Sequence, residues 1–148
     1  MAIFPEKKLE TYWDYYEKYI TPKLIEIDIM FKTGTEILTK SLTARLLDLL
    51  ENEVEDIMAQ KDITEINQSK FFEIMEDGSS ELCEMFKNEV RCGMPYQYHM
   101  EDVAFIYGLD IGSVALAFSE NKITEAVSKE LAEVFSRIPI RSAYRLFK

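Results

Sequence analysis

Residues 103–118 read VAFIYGLDIGSVALAF and form the longest apolar stretch of the chain. Asp110 is its one charged residue, and apolar side chains return every three or four positions, which predicts a helix. A helix that is apolar around more than half of its circumference belongs at the centre of a domain. The stretch is shorter than the roughly 20 apolar residues that cross a bilayer. We therefore expect a core helix over about residues 99–119 and no membrane span.

Apolar residues keep helical spacing along most of the 148 residues, which include only five glycines and four prolines. A chain of this length can form one domain that buries roughly 70% of its extended surface. The sequence predicts an all-α fold, with a single domain over residues 1–148 built as an irregular bundle of five to seven helices. The other predicted helices run from Pro5 to Tyr19, from Thr21 onward, from Thr35 to Gln60, from Asn67 to Cys92 with a break near Gly78, from Asn121 to Ile138, and over a short terminal segment.

Residues 24–42 are compatible with two structures. Leu24, Ile27 and Phe31 have helical spacing, which favours a helix. Residues 25–31 also alternate like a strand, and the Lys-Thr-Gly-Thr sequence at 32–35 is compatible with the turn of a β-hairpin. In the favoured helical interpretation, Gly34 ends the helix and Thr35 caps the next one.

The net charge of −10 is concentrated in one segment. Residues 48–84 hold twelve acidic residues against Lys61 and Lys70, so this segment carries a charge of −10 by itself. Such a run is typical of the solvated side of helices, and it is also compatible with a surface for a basic protein partner or with mimicry of nucleic acid. The candidate partner surface consists of Glu51, Glu55, Asp56, Asp62, Glu73 and Glu76.

The last twelve residues, 137–148, form a basic tail without an acidic residue. We expect Arg141, Arg145 and Lys148 to share one side of a short helix. This side could contact phosphate, an anionic membrane or an acidic protein, but we favour docking on the acidic segment of the same chain. Cations at a helix C-terminus are also stabilised by the helix dipole.

Small residues recur every four positions in the apolar stretch, at Ala104, Gly108 and Gly112. On one helix they would form a side with little bulk, against which another backbone can pack closely. A neighbouring helix of the same chain is the first interpretation, and a homodimer or a partner helix is the second.

Residues 101–112, EDVAFIYGLDIG, resemble the Phe-Ile-x-Gly-Phe-x-Leu-Gly helix of small uncharacterised helical proteins of Firmicutes and their mobile elements. Leu109 stands where those proteins have an aromatic residue, and Asp110 where a basic residue is common. The resemblance covers about one helix and implies a helical fold and a bacterial setting. Those proteins have no established activity, so no functional residue is carried over.

The residues typical of catalysis and metal binding are scarce. His99 is the only histidine and does not follow the Glu-x-x-His pattern of di-iron helices, and Cys83 and Cys92 do not form a Cys-x-x-Cys pair. Phosphate-binding loops and nucleophile motifs are missing from the sequence. We expect reduced cysteines, His99 at the start of its helix, no metal or other cofactor, and no enzymatic activity.

Direct nucleic-acid binding is not expected either. Aromatic residues 12–19 lie among lysines, a combination that can stack bases, but acidic residues in the same segment cancel the charge that phosphate binding needs. The N-terminus becomes charged at Glu6 and has no apolar run for a secretion signal, which favours the cytoplasm.

These patterns together predict a non-catalytic bacterial interaction or regulatory protein with an acidic surface for a basic protein partner. Two alternatives stay open. One is an antagonist that mimics nucleic acid, and the other is a metal-binding protein or enzyme that uses carboxylates such as Glu51 and Glu55.

Overall fold

The computed structural model describes residues 9–33 and 37–147, and these are predominantly α-helical. The all-α prediction is confirmed. Counted with residues 12–32 as one helix, the described residues form eight α-helices, more than the five to seven expected. The elements are α1 Tyr12–Tyr15, a π-helix Tyr16–Ile20, α2 Thr21–Lys32, α3 Lys40–Leu47, α4 Glu51–Gln60, α5 Gln68–Asp77, α6 Glu81–Arg91, β1 Gln97–Tyr98, α7 Met100–Tyr107, α8 Ile111–Glu120, β2 Ala126–Val127, a 3-10 helix Ser128–Glu130, α9 Leu131–Ser136, and 3-10 turns Ile140–Ser142 and Tyr144–Phe147.

The chain divides into two compact units. One comprises Met1–Lys18 and Tyr96–Lys148, which we call the terminal unit, and the other comprises Tyr19–Pro95, which we call the middle unit. The expectation of a single domain over 1–148 stays a prediction. In the described part of both units, no helix combines the length and the apolar character needed to cross a membrane.

In the described residues the first helix begins at Tyr12, and it continues beyond the predicted end at Tyr19. Thr11 caps α1, because its hydroxyl accepts a hydrogen bond from the Asp14 N–H (3.2 Å) and the Asp14 carboxylate accepts one from the Thr11 N–H (3.0 Å). The predicted start near Pro5 lies outside the described residues. α2 begins at Thr21 as predicted, but Thr21 does not cap it, since the π-helix leads directly into α2. Pro22 has no N–H to donate to the carbonyl four residues earlier, and the π-helical turn accommodates this missing hydrogen bond.

The middle unit confirms the helical interpretation of residues 24–32, as α2. Gly34 and Thr35 lie outside the described residues. The predicted continuous helix up to Gln60 is wrong, because Thr39 caps α3 and Asp48, with φ of 57°, ends it in the left-handed conformation. The predicted break near Gly78 is confirmed, and Ser80 caps α6 there.

Apolar side chains at helical spacing form the buried part of the middle unit. Phe31 contacts Phe71 edge to face with ring centroids 5.2 Å apart, and Phe72 stacks on Phe86 at 5.6 Å. The most deeply buried apolar side chains are Leu46, Leu47, Val54, Ile66, Phe71, Ile74 and Cys83.

The apolar stretch that dominates the sequence is two helices in the terminal unit, and the prediction of one helix over 99–119 is wrong. Gly108 ends α7 with φ of 64° and ψ of 48°, and Asp110 begins α8 by accepting a hydrogen bond from the Ser113 N–H (3.0 Å). A left-handed glycine and an aspartate cap are sufficient to end one helix and start another. One side of each helix is nevertheless buried, although Phe105, Ile111 and Leu116 are exposed, and the fully buried side chains include Val103, Ile106, Val114 and Phe118.

The rest of the terminal unit is less helical than predicted. Asn121 ends α8 instead of starting a helix, and the chain reaches α9 only through a turn, β2 and a 3-10 helix. β2 pairs antiparallel with β1, with Gln97 opposite Val127. Tyr12 is fully buried, and its ring meets that of Phe135 edge to face at 4.9 Å.

Replacement of Gly108 by alanine tests the break between α7 and α8. A Cβ there would collide with the Arg145 side chain, whereas Gly93 has a similar φ of 78° with nothing within 4 Å of such a Cβ. We expect Gly93→Ala to lower the free energy of unfolding by about 1–2 kcal/mol through backbone strain alone. Gly108→Ala should lower it by a further 1–3 kcal/mol or so, because the added Cβ displaces the Arg145 guanidinium from the Ile106 carbonyl.

Urea denaturation of both variants measures this difference. In the double variant Gly108→Ala/Arg145→Ala the excess should disappear when the loss in Arg145→Ala is subtracted. Equal losses in Gly93→Ala and Gly108→Ala would contradict the close approach of Arg145.

Candidate interaction surfaces

The α4 helix places three acidic residues of the candidate partner surface in solvent. Val54, Ile57 and Met58 lie on its buried side. Glu51, Glu55 and Asp56 lie on its exposed side, and we call these three the α4 acidic face. Asp62 is also exposed and follows the helix, whereas Glu73 and Glu76 on α5 are half-buried.

Lysines of the same unit neutralise a second group of carboxylates. Lys70 donates a hydrogen bond to Glu73 at 2.9 Å, and this bond lowers the pKa of the Glu73 carboxyl. Glu53 accepts hydrogen bonds from the N–H and the hydroxyl of Ser79, both at 2.9 Å. The other ion pairs of this segment are Asp48 with Lys23, Glu55 with Lys40, Asp77 with Lys61 and Glu84 with Lys87.

Two carboxylates of the α4 acidic face, Glu51 and Asp56, form no ion pair within the described part of the chain. Glu55 is 3.8 Å from the Lys40 amine with both side chains half-exposed. An exposed pair at that distance contributes little. The negative charge of this face is therefore directed to solvent. Leu50, which precedes α4, adds an apolar side chain that is 72% exposed.

The three small residues do not form one side of a helix. Ala104 lies on α7, Gly108 ends it, and Gly112 lies on α8. Gly108 is buried, and the Arg145 side chain approaches it closely where another backbone was expected. Gly112 is exposed. The predicted packing surface along one helix is therefore wrong, because these positions lie on two helices. A homodimer stays a prediction, which light scattering can test.

The basic tail forms 3-10 turns instead of the predicted helix with one basic side. The Arg145 guanidinium donates to the Ile106 carbonyl oxygen at 2.9 Å, at the C-terminal end of α7. Arg137 lies 3.6 Å from the Glu120 carboxylate and donates to the Asn121 side chain, at the end of α8. Two helix C-termini thus have a cation, which the helix dipole favours. Arg141 is exposed, Lys148 lies outside the described residues, and docking on the acidic segment stays a prediction.

A shallow groove of about 400 Å³ in the terminal unit was not foreseen. It lies where α7 ends and α8 begins, and the Tyr144 ring borders it. Ile111 was expected in the core but is 47% exposed. The Gly-Leu-Asp sequence at 108–110 was the signal that could have predicted it, because a break leaves side chains at the junction partly uncovered. The lining residues are Glu101, Ala104, Phe105, Leu109, Asp110, Ile111 and Tyr144.

The residues considered for catalysis or metal binding are His99, Cys83 and Cys92, and each has a different environment. His99 precedes α7 as predicted, where its N–H donates to the Asp102 carboxylate, and its Nε2 is 3.6 Å from Glu125. Both cysteines are free thiols. Burial raises the pKa of Cys83 to about 11. Within residues 9–33 and 37–147, no three His, Cys, Asp or Glu side chains are grouped as metal ligands.

No known protein family, no characterised protein and no solved structure matches the chain. The resemblance of residues 101–112 to helical proteins of Firmicutes stays a prediction.

The two cysteines should differ strongly in thiol reactivity. Only the thiolate is nucleophilic, and Cys83 is both fully buried and held as the thiol, whereas Cys92 is half-buried at the end of α6. We expect iodoacetamide at about pH 8, roughly the ordinary thiol pKa, to label one thiol per native chain and both in urea. Mass spectrometry locates the label. Native labelling of Cys83 at the rate of Cys92 would contradict the buried, protonated thiol.

Proposed function

We propose that this chain is a non-catalytic bacterial interaction or regulatory protein of the cytoplasm whose α4 acidic face binds a basic surface of a protein partner. One observation supports this proposal above all others. Several carboxylates of residues 48–84 pair with the protein's own lysines or cap its backbone, whereas Glu51 and Asp56 on α4 are exposed without an ion pair among the described residues.

The α4 acidic face has the properties of an electrostatic docking surface. Its charges lie on a regular helix with a fully buried opposite side, so their positions are fixed before binding. Carboxylates without a lysine partner attract a basic protein over the Debye length, which is about 10 Å at 0.1 M salt. This attraction raises the rate of encounter and weakens with salt. The exposed Leu50 beside the face offers an apolar contact that salt does not weaken.

A matched pair of charge variants tests this proposal. The first carries Glu51→Gln, Glu55→Gln and Asp56→Asn. The second carries Glu17→Gln, Asp28→Asn and Glu133→Gln, which are also exposed. Each variant removes three carboxylates and changes the net charge from −10 to −7, so any difference between them reports position and not total charge.

Fluorescence anisotropy with a labelled peptide of alternating lysine and serine gives the readout. At about 50 mM salt we expect the α4 variant to bind about tenfold more weakly than the unchanged protein, and the second variant to lose less than about twofold. The affinity of the unchanged protein should fall steeply as the salt is raised. Equal losses in both variants would show that the peptide senses only net charge, and the proposed docking face would be rejected.

Each alternative function predicts a different result for the α4 acidic face. A nucleic-acid mimic requires a partner that binds duplex DNA, and DNA should then displace the protein from that partner. A carboxylate-based metal site would make the same variant lose bound metal, which elemental analysis of the purified protein measures. The proposal of a basic protein partner expects neither result.

A further inference from the structure

We propose that the groove at the junction of α7 and α8 is a second docking site, which accepts an apolar side chain from a basic segment of a protein partner. The groove lies in the terminal unit and α4 in the middle unit. The inference therefore goes beyond the proposed function of α4, and either can fail without the other.

Three large side chains expose apolar surface at the groove. Phe105 is 45% exposed, Ile111 47% and Tyr144 52%, and all three border the same depression. Leu109 and Ala104 are buried beneath them. Contiguous apolar patches on a soluble protein often mark interaction sites, and covering them yields about 25 cal/mol per Å² of apolar area.

The groove is preformed, since several bonds fix the C-terminal turns to α7 and α8. The Asp110 N–H donates to the Ser142 carbonyl oxygen at 2.9 Å, and the hydroxyls of Ser113 and Ser142 are 2.7 Å apart. Leu109 and Ala143 form a β-bridge, and Arg145 binds Ile106. A partner that enters a rigid groove does not have to order it, which favours affinity.

The charge of the lining selects the kind of partner. Glu101 and Asp110 border the groove, both exposed, and the lining residues that the structure describes include no lysine or arginine. Asp110 accepts hydrogen bonds from the N–H and the hydroxyl of Ser113. An apolar floor with an acidic rim is complementary to an amphipathic segment that carries lysine or arginine beside an apolar residue. The same carboxylates repel an anionic lipid surface.

Two model peptides of equal length and charge test the groove. One has leucines at helical spacing among lysines, and the other has serines in place of the leucines. We expect the leucine peptide to bind at least about tenfold more tightly in fluorescence anisotropy, and its advantage should persist when salt is raised.

Variants then locate the effect. Ile111→Ser and Tyr144→Ser should each weaken the leucine peptide about tenfold and leave the serine peptide unchanged. Leu116→Ser is the matched control, because Leu116 lies on α8, is 62% exposed and does not line the groove. Glu101→Gln should reduce the salt dependence for the leucine peptide. Unchanged urea midpoints confirm that each variant is folded.

Three results would overturn the inference. The first is equal affinity for both peptides, and the second is an equal loss in Leu116→Ser. The third is a dimer in light scattering that Tyr144→Ser dissociates, since a second copy would then occupy the groove. The α4 variant serves as the separate measure of the proposed function. If it alone loses the serine peptide while the groove variants have no effect, the α4 face stands and the groove is rejected.

Discussion

The terminal unit depends on how the apolar stretch 103–118 is interrupted. Gly108 takes a left-handed conformation that ends α7, and Asp110 supplies the cap that begins α8. The lack of a side chain at Gly108 leaves room for Arg145, whose guanidinium reaches the carbonyl of Ile106 at the end of α7. Gly108 therefore ends α7 and leaves room for the Arg145 guanidinium, which links the C-terminal turns to α7. A side chain at position 108 would strain the left-handed backbone and displace Arg145.

Electrostatics in the middle unit follow a different principle. The acidic segment is not uniformly a solvated surface, because many of its carboxylates have a structural use. Glu53 binds Ser79 at the turn between α5 and α6, and Lys61 and Lys70 neutralise Asp77 and Glu73. Exposed carboxylates without a lysine partner among the described residues then include Glu51 and Asp56 of the α4 acidic face. A uniform acidic surface would attract any cation, whereas a confined face can select a partner by shape.

Sequence patterns predicted the helical class and the burial of residues such as Val103 and Phe118, since apolar spacing reports which side of a helix is turned away from water. They were less successful at helix ends. Thr21 with Pro22 resembles a helix start, yet the preceding turn widens to a π-helix and the helix continues. Asp48 in the left-handed conformation and Gly108 each divide a pattern that stays in phase across the break. Periodicity alone cannot detect such a break, because two helices in succession can each bury an apolar side.

The sequence by itself determined the helical character, the net negative charge, the reduced cysteines and the burial of residues such as Val103 and Phe118. These properties depend on composition and on neighbours a few positions away. Tertiary structure alone decided that Lys61 pairs with Asp77, that Arg145 covers Gly108, and that Tyr144 borders one groove with Phe105 and Ile111. Each of these is a distance between residues far apart in the chain, and such distances are set by how the helices pack and not by their local patterns.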